Sequence, residues 1–233
     1  MDFDPYSPGY AGHVNDALAF SGTEQELYLR AKAEQIARLA REQLGSVRNP
    51  ALLDVGCGVG LIHAMLRERY PGLVGVDVAA GALREARRRE PGGRFVRYGG
   101  QGLPFDRGAF DLTYAVNVLH HVAPAAWPAF AAELARVTRA GGLVVVFEHN
   151  PWNPLTRIVV NRCEFDEHAV LLGHGKLRAL LAESGLRECD HRHILFFPWA
   201  GSLWAALERA LGWLPLGAQH LVAARKHESG TPG

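Results

Sequence analysis

The chain has 233 residues, 48% of them hydrophobic, and a formal net charge of +1, which suits one α/β domain with a modest appendage and a sizeable core. The balanced charge speaks against nucleic-acid binding through a concentrated basic surface, and the basic run Arg84–Glu90 falls in a helical pattern and reads as a solvated helix face. Cys57, Cys163 and Cys189 form neither a metal-ligand spacing nor a disulfide framework, and no run of about 18 apolar residues predicts a membrane-spanning helix.

Residues 1–22 are rich in Pro, Gly, Tyr and Ser and read as an irregular arm. Its acids stand where a signal peptide needs basic residues, so a cytoplasmic location is expected, in keeping with the unpaired cysteines. Thr23–Leu44 has helical periodicity, with Leu27, Ala31, Ile36, Leu39 and Ala40 near one face and Gly45 as a C-cap. Ala51–Val55 is a short apolar strand. Leu61–Tyr70 is a helix stopped by Pro71-Gly72, Leu73–Val78 a buried strand, and Ala79–Glu90 a helix stopped by Pro91-Gly92-Gly93. Arg94–Tyr98 and Phe110–Val116 follow as strands. Trp127–Arg139 is a helix ended by Gly141-Gly142, and Leu143–His149 is a β-branched strand. Alternating strands and helices at short intervals predict a doubly wound, mostly parallel sheet with helices on both faces.

Residues 150–172 read as irregular and polar-rich. Lys176–Glu183 is a helix, His191–Phe197 and Gln219–Arg225 are the last strands, and the segment between them is a mostly apolar helix and turn. The domain plan is an N-terminal arm and helix over 1–45, a core over 46–150, and a lid or substrate segment with the closing strands over 151–233.

The central signal is Leu52-Leu53-Asp54-Val55-Gly56-Cys57-Gly58-Val59-Gly60. A strand runs into a loop with glycine at every second position, and a helix follows. Glycines let the backbone bend sharply and approach a ligand closely, and the carboxyl end of the first strand is where open α/β sheets bind ligands. A dinucleotide site has the spacing G-x-G-x-x-G and holds a pyrophosphate at the helix N-terminus. Here the spacing is G-x-G-x-G, and Asp54 precedes the first glycine by two. A carboxylate there repels a pyrophosphate and suits a cationic amino-acid moiety, as in S-adenosylmethionine (SAM). Asp77, at the end of the second strand and before Val78, can accept hydrogen bonds from ribose hydroxyls. Its structural alternative is a helix N-cap.

These strings, with LPFDRGAFDLTYAVNVLHHV and a Gly-Gly turn leading into LVVVFEH, resemble class I SAM-dependent methyltransferases. The likeness is to the small-molecule branch that includes the ubiquinone and menaquinone C-methyltransferases, and it covers roughly residues 45–150. It implies a seven-stranded sheet with the last strand antiparallel. It also implies that Asp54 and Gly56, Cys57, Gly58 and Gly60 frame the methionine portion of SAM or of its product S-adenosylhomocysteine, and that Asp77 takes the ribose. Many relatives carry Gly-Asp-Ala before the Leu-Pro-Phe turn, where the acid contacts adenine. Here Tyr98-Gly99-Gly100-Gln101-Gly102-Leu103 puts glycine in that place, so adenine recognition falls to backbone groups, Gln101, Gly102 or Leu103.

Methyl transfer from SAM needs alignment of a nucleophile and, for some acceptors, removal of its proton. By the resemblance, Asn117 to His121 border the sulfur and the acceptor. His120 and His121 point in different directions, and each is a candidate base. Glu148 and His149 end the fifth strand on opposite faces, which makes His149 a third candidate. Asn153, Arg157, Asn161, Arg162, Glu164, Asp166 and Glu167 form a polar segment suited to a lid. Tyr6, Tyr10, His13 and Tyr28 either cover the cofactor or anchor packing. Residues 199–216 hold three of the five tryptophans, suited to core packing, a homodimer contact or weak contact with a membrane surface. The sequence thus reads as a SAM-dependent methyltransferase of a small-molecule acceptor at O, N or C, with no metal. A non-catalytic SAM-binding regulatory or scaffold module and a nicotinamide-dependent oxidoreductase are the rivals.

Overall fold

In the computed structural model, the described residues are 25–162, 169–199 and 201–227. The expected arm over 1–22, and Glu164, Asp166 and Glu167 of the expected lid, lie outside them. The chain runs through α1 (Gln25–Gln43), β1 (Leu52–Val55), α2 (Leu61–Leu66), β2 (Val74–Asp77), α3 (Ala80–Arg89), β3 (Arg94–Arg97), β4 (Phe110–Val116) and α4 (Trp127–Val137). It continues through β5 (Thr138–His149), α5 (Pro154–Arg162), α6 (His174–Glu183), β6 (Leu186–Ile194), α7 (Ser202–Leu211) and β7 (Gln219–Lys226).

The seven strands lie in the order β3-β2-β1-β4-β5-β7-β6. β7 runs antiparallel to both neighbours, and the other pairings are parallel. The strand order reverses between β1 and β4, the point at which such sheets open a crevice at their carboxyl ends. The central strands carry apolar side chains on both faces. Val144 and Val146 join the core under α4 and α6, while Leu143, Val145 and Phe147 join the core under α1 and α2. Burial on both faces is why these strands are near-continuous apolar runs rather than alternating ones.

Helix α1 is tied down at its C-terminus. Arg225 donates to the backbone carbonyl and the side-chain oxygen of Gln43, and Arg225 is the register partner of Leu143 at the lower end of β5. The N-terminal turns of α1 therefore rise toward the carboxyl ends of the parallel strands, where Tyr28 and Leu29 join Val116 and Ala218 in one cluster.

The structure departs from the sequence expectations in four places. Gly141-Gly142 does not stop a helix: α4 ends at Val137 and β5 begins at Thr138. Gly141 has φ 72°, and a Cβ on Gly142 would stand 2.7 Å from the Asp111 carbonyl oxygen. The pair thus marks a register irregularity against β4. The stretch read as irregular after residue 150 contains α5. Asn153 Oδ1 accepts the Thr156 N–H at 3.0 Å and Pro154 opens the helix, a capped start with proline at the first position. β6 begins at Leu186 instead of His191, and α2 ends at Leu66, four residues early.

One face of the β5-β7-β6 region carries a row of titratable groups. Glu148 of β5 pairs in register with His220 of β7, and His220 with His193 of β6. His191 follows on the same face of β6, and His174 of α6 stacks on it at 3.6 Å and bonds Glu188 at 2.8 Å. Burial, with the neighbouring histidines adding to it, lowers His191 to about 3 and His193 to about 4, and burial lowers His220 as well. The unfolded chain therefore binds more protons than the folded one below the ordinary histidine range, so stability falls as pH drops. Thermal unfolding between about pH 7 and pH 4.5 should show a falling midpoint, and His191→Gln with His193→Gln should flatten that fall. A midpoint independent of pH in this window would contradict the buried, neutral row.

Candidate active site

The loop between β1 and α2 is shaped by three glycines in the left-handed region, Gly56 (φ 75°), Gly58 (φ 53°) and Gly60 (φ 77°), where other residues are strained. Its backbone is held by β2. Gly56 N–H and Cys57 N–H both donate to the Val76 carbonyl at 2.8 and 3.0 Å, and Gly58 N–H donates to Asp77 Oδ2 at 2.8 Å. The other Asp77 oxygen accepts the Ala79 N–H at 2.9 Å. Ala79, not Asp77, is the N-cap residue of α3. Asp77 thus clamps the glycine loop and steadies the start of α3.

Room for a ligand is visible at one of these glycines. A Cβ on Gly58 would meet nothing within 4 Å, whereas one on Gly56 would strike Val118 at 2.5 Å. Gly56 therefore lies against the turn after β4, and Gly58 faces open space. The Cys57 side chain turns away, packing beside Leu83, Ala86 and Phe95 where Gly75 leaves space for its sulfur. Burial pushes its thiol well above the ordinary range, so the residue acts here as a small apolar group.

Asp54 is 3% exposed. Burial pushes its carboxyl up to about 8, the Tyr114 hydroxyl pulls it down, and the Asp77 charge adds a smaller upward push. Among the described residues no backbone N–H is bonded to it. An acid raised by burial becomes ionised readily once a cation is brought beside it. This feature, with the open wall at Gly58, fits the ammonium end of an amino acid and tests the site for SAM on the structure's own terms.

The third loop is partly committed. Leu103 N–H donates to Glu133 Oε2 and its carbonyl accepts from Arg136, so its backbone is occupied. Gln101 and Gly102 are exposed, and Val78 lies 36% exposed with its carbonyl accepting from Arg97.

A second group gathers where β4 and β5 end. Asn117 has φ 55°, uncommon for a residue with a side chain and characteristic of functional bends. Its amide lies 3.0 Å from His149 Nε2, and Gln219 Nε2 lies 3.4 Å from His149 Nδ1. An amide NH2 only donates, and a neutral imidazole has one ring-nitrogen lone pair, so the ring accepts a hydrogen bond from one of these two amides. His120 is buried and binds Glu148 Oε2 through Nδ1 at 2.6 Å, while Glu148 Oε1 accepts the Leu119 N–H at 2.8 Å. Burial alone would raise the Glu148 carboxyl; His120, His149 and the Leu119 N–H outweigh it and hold it below its ordinary value. His121 is partly exposed with its ring 4.0 Å from that of His120.

All three sequence-derived histidines therefore meet at one end of the sheet, with His120 enclosed in a carboxylate pair. Two residues were missed by sequence reasoning. Gln219 reaches the site because β7 inserts beside β5, a pairing with no local signature. Lys32 is 5% exposed, and burial lowers its amine to about 8 while Glu148 pulls it up. A signal for it existed, since it occupies the helix stripe of Tyr28, Ile36 and Leu39.

Residues 53–146 match the family model described as a methyltransferase domain. A demethylmenaquinone methyltransferase of Beutenbergia cavernae is 35% identical over 156 residues, which is 66% of this chain and 63% of that one. A 2-methyl-6-phytyl-1,4-hydroquinone methyltransferase of Synechocystis is 27% identical over 73% of this chain and 58% of its own length. An uncharacterised methyltransferase of Mycobacterium is 39% identical over 41% of this chain and 37% of that one. The chain thus spans less than two thirds of the length of these relatives. The crystal structure of a SAM-dependent methyltransferase from Thermotoga maritima superposes with a TM-score of 0.69 at 18% identity, covering 96% of this chain and 97% of that one, a likeness of fold. Residues 53–146 thus match a methyltransferase-domain model, and the chain shares the fold of the class I SAM-dependent methyltransferases.

Proposed function

We propose that the chain is a SAM-dependent methyltransferase of a small-molecule acceptor, and that the acceptor is an aromatic hydroquinone or related phenol carrying an apolar tail. The observation that carries the cofactor assignment is the pairing of a buried Asp54, its carboxyl raised by burial, with a glycine bend whose inner wall at Gly58 is open. Asp54 and the Gly56–Gly60 backbone hold the amino-acid end, Asp77 takes ribose hydroxyls, and Gln101, Gly102 and Val78 border the base. When bound, SAM supplies an electrophilic sulfonium methyl group. Asn117 borders the transfer point, and its amide contact, with that of Gln219, holds the His149 ring in one orientation beside the acceptor. His120, locked to Glu148, fixes the turn that carries His121.

The acceptor class is drawn from the names of two relatives and supported by a surface feature. Trp152, Leu155 and Ile158 are exposed beside the exposed Trp213 and Leu216, and Asn150 and Asn153 tie these segments together through the carbonyls of Pro215 and Leu216. Trp199 and Leu203 extend the apolar surface. Such a surface suits shallow contact with a lipid layer by a protein in which, among the described residues, no helix is long and apolar enough to cross a membrane. A cytoplasmic location belongs to the same reading.

Binding of S-adenosylhomocysteine measured by calorimetry tests the cofactor assignment, and transfer of labelled methyl to demethylmenaquinol tests the acceptor. Asp77→Ala should weaken binding by roughly 1–3 kcal/mol, because ligand and loop donors both lose their acceptor, and should also lower the unfolding temperature. Equal affinity in the folded variant would remove Asp77 from the ribose site.

Asp54 gives the binding a pH signature. In the free protein it keeps its proton up to about pH 8, and the ligand ammonium favours the ionised form. Binding near pH 7 should therefore release a proton, and affinity should rise between about pH 6 and pH 8. Calorimetry in buffers of different ionisation enthalpy reads this directly; Asp54→Asn should abolish the release. A wild-type protein that binds without releasing a proton would show that the carboxyl does not meet the ammonium.

A further inference from the structure

Lys32 is a buried amine with no role in the machinery described above. Its position follows from two fixed geometries. Gln43, at the foot of α1, is bonded to Arg225, which is level with Leu143. Lys32 lies eleven residues above Gln43, about 16 Å along the helix. The same rise along β5 leads from Leu143 to Glu148. The electrostatic coupling of Lys32 to Glu148 agrees with that level. Lys32 therefore stands level with the end of β5, on the face of the sheet to which Phe147 and His149 belong. The glycine bend after β1 is two strands away, about 10 Å.

Among the described residues no hydrogen bond or ion pair forms on Lys32. Glu148 does not serve as its counterion, since both oxygens of that carboxylate are engaged, one by His120 and one by Leu119 N–H. The Glu148 carboxylate and the His120 ring lie on the opposite face of the sheet, shared with α6, while Tyr28 and Ile36 flank Lys32 along its own helix stripe. A buried ammonium without an oxygen partner is costly. An apolar residue at this position would continue the stripe of Ile36 and Leu39 without that cost. The chain keeps a lysine there, which points to a partner supplied by a ligand.

We propose that Lys32 is a binding residue for the methyl acceptor, and that its amine receives an ionisable oxygen of that acceptor, such as a phenolic hydroxyl. This rests on the functional reading above. The neutral amine accepts the hydroxyl proton to give an ammonium–phenolate pair, or the ammonium donates to an oxygen already ionised; no other bond changes. An oxygen charged in this way activates the ring carbons ortho and para to it, so the same contact both orients a phenol and raises its nucleophilicity.

The chain has three lysines, Lys32, Lys176 and Lys226, so protein labelled with carbon-13 at the lysine ε position gives three resonances, assignable through arginine variants. The Lys32 signal should titrate well below the ordinary lysine range. S-adenosylhomocysteine alone should leave its midpoint nearly unchanged. Naphthohydroquinone added to the loaded protein under reducing conditions should raise that midpoint by about one pH unit or more, the response of an amine to an adjacent anion. Lys32→Met should weaken naphthohydroquinone binding about tenfold while leaving S-adenosylhomocysteine binding intact, and Lys32→Arg should restore most of the loss. A Lys32 signal that moves with neither ligand overturns the proposal. One that moves fully with S-adenosylhomocysteine alone overturns it too, since the oxygen then belongs to the carboxylate of the cofactor. Heat of S-adenosylhomocysteine binding in the wild type separates either failure from failure of the cofactor reading itself.

Discussion

The Asp77 carboxylate accepts Gly58 N–H on one oxygen and Ala79 N–H on the other, and the cofactor end of the sheet depends on that pair of hydrogen bonds. Gly58 belongs to the bend after β1 and Ala79 to the start of α3, so one side chain joins two successive βα junctions. Three glycines at positive φ have no side chains with which to hold a bend, and they lose more freedom on folding than other residues. Their conformation is imposed by β2, through the Val76 carbonyl and Asp77. The loop is thereby preorganised before any ligand arrives.

Polarity is distributed along the sheet in the same sense. At the amino ends of the parallel strands, Leu52, Leu112 and Leu143 are fully buried among apolar neighbours. At the carboxyl ends, Lys32, Asp54, Asp77, His120 and Glu148 are all buried. Burying such groups is unfavourable unless each finds a partner. Asp77 and Glu148 do so within the chain; Asp54 and Lys32 instead shift their pKa values toward neutrality.

The glycine bend was legible in the sequence because its determinants are local. Strand, acid, alternating glycines and helix occupy ten consecutive residues, and the second acid follows one βαβ unit later, so spacing alone predicted a bend after β1 with acids in the first two strands. The acceptor half was not legible to the same degree. Gln219 and His149 meet through a strand pairing across 70 residues, and the burial of Lys32 requires knowing where α1 docks. Gly141-Gly142 misled for a related reason. Two glycines after a helix usually cap it, but here the close approach of the Asp111 carbonyl, a contact with another strand, decides their place inside β5. Asn153-Pro154 shows the opposite case: a local cap signature was present and opened α5 within a stretch read as irregular.

The insertion of β7 between β5 and β6 gives the acceptor half its side chains. Antiparallel pairing sets His220 opposite Glu148 and Gln219 opposite His149, so β5 contributes one polar residue to each face of the sheet and β7 supplies its neighbour. On the face shared with α6, His220 donates from Nε2 to the Leu172 carbonyl at 2.9 Å, and Val170 N–H donates to the His120 carbonyl at 3.1 Å. The chain entering α6 is thus held by the same turn that carries His120 and His121. On the other face, Gln219 and Asn117 hold His149 beneath the first turns of α1. The parallel strands therefore shape the glycine bend through backbone geometry, whereas the antiparallel pair brings its polar side chains together through pairings distant in sequence.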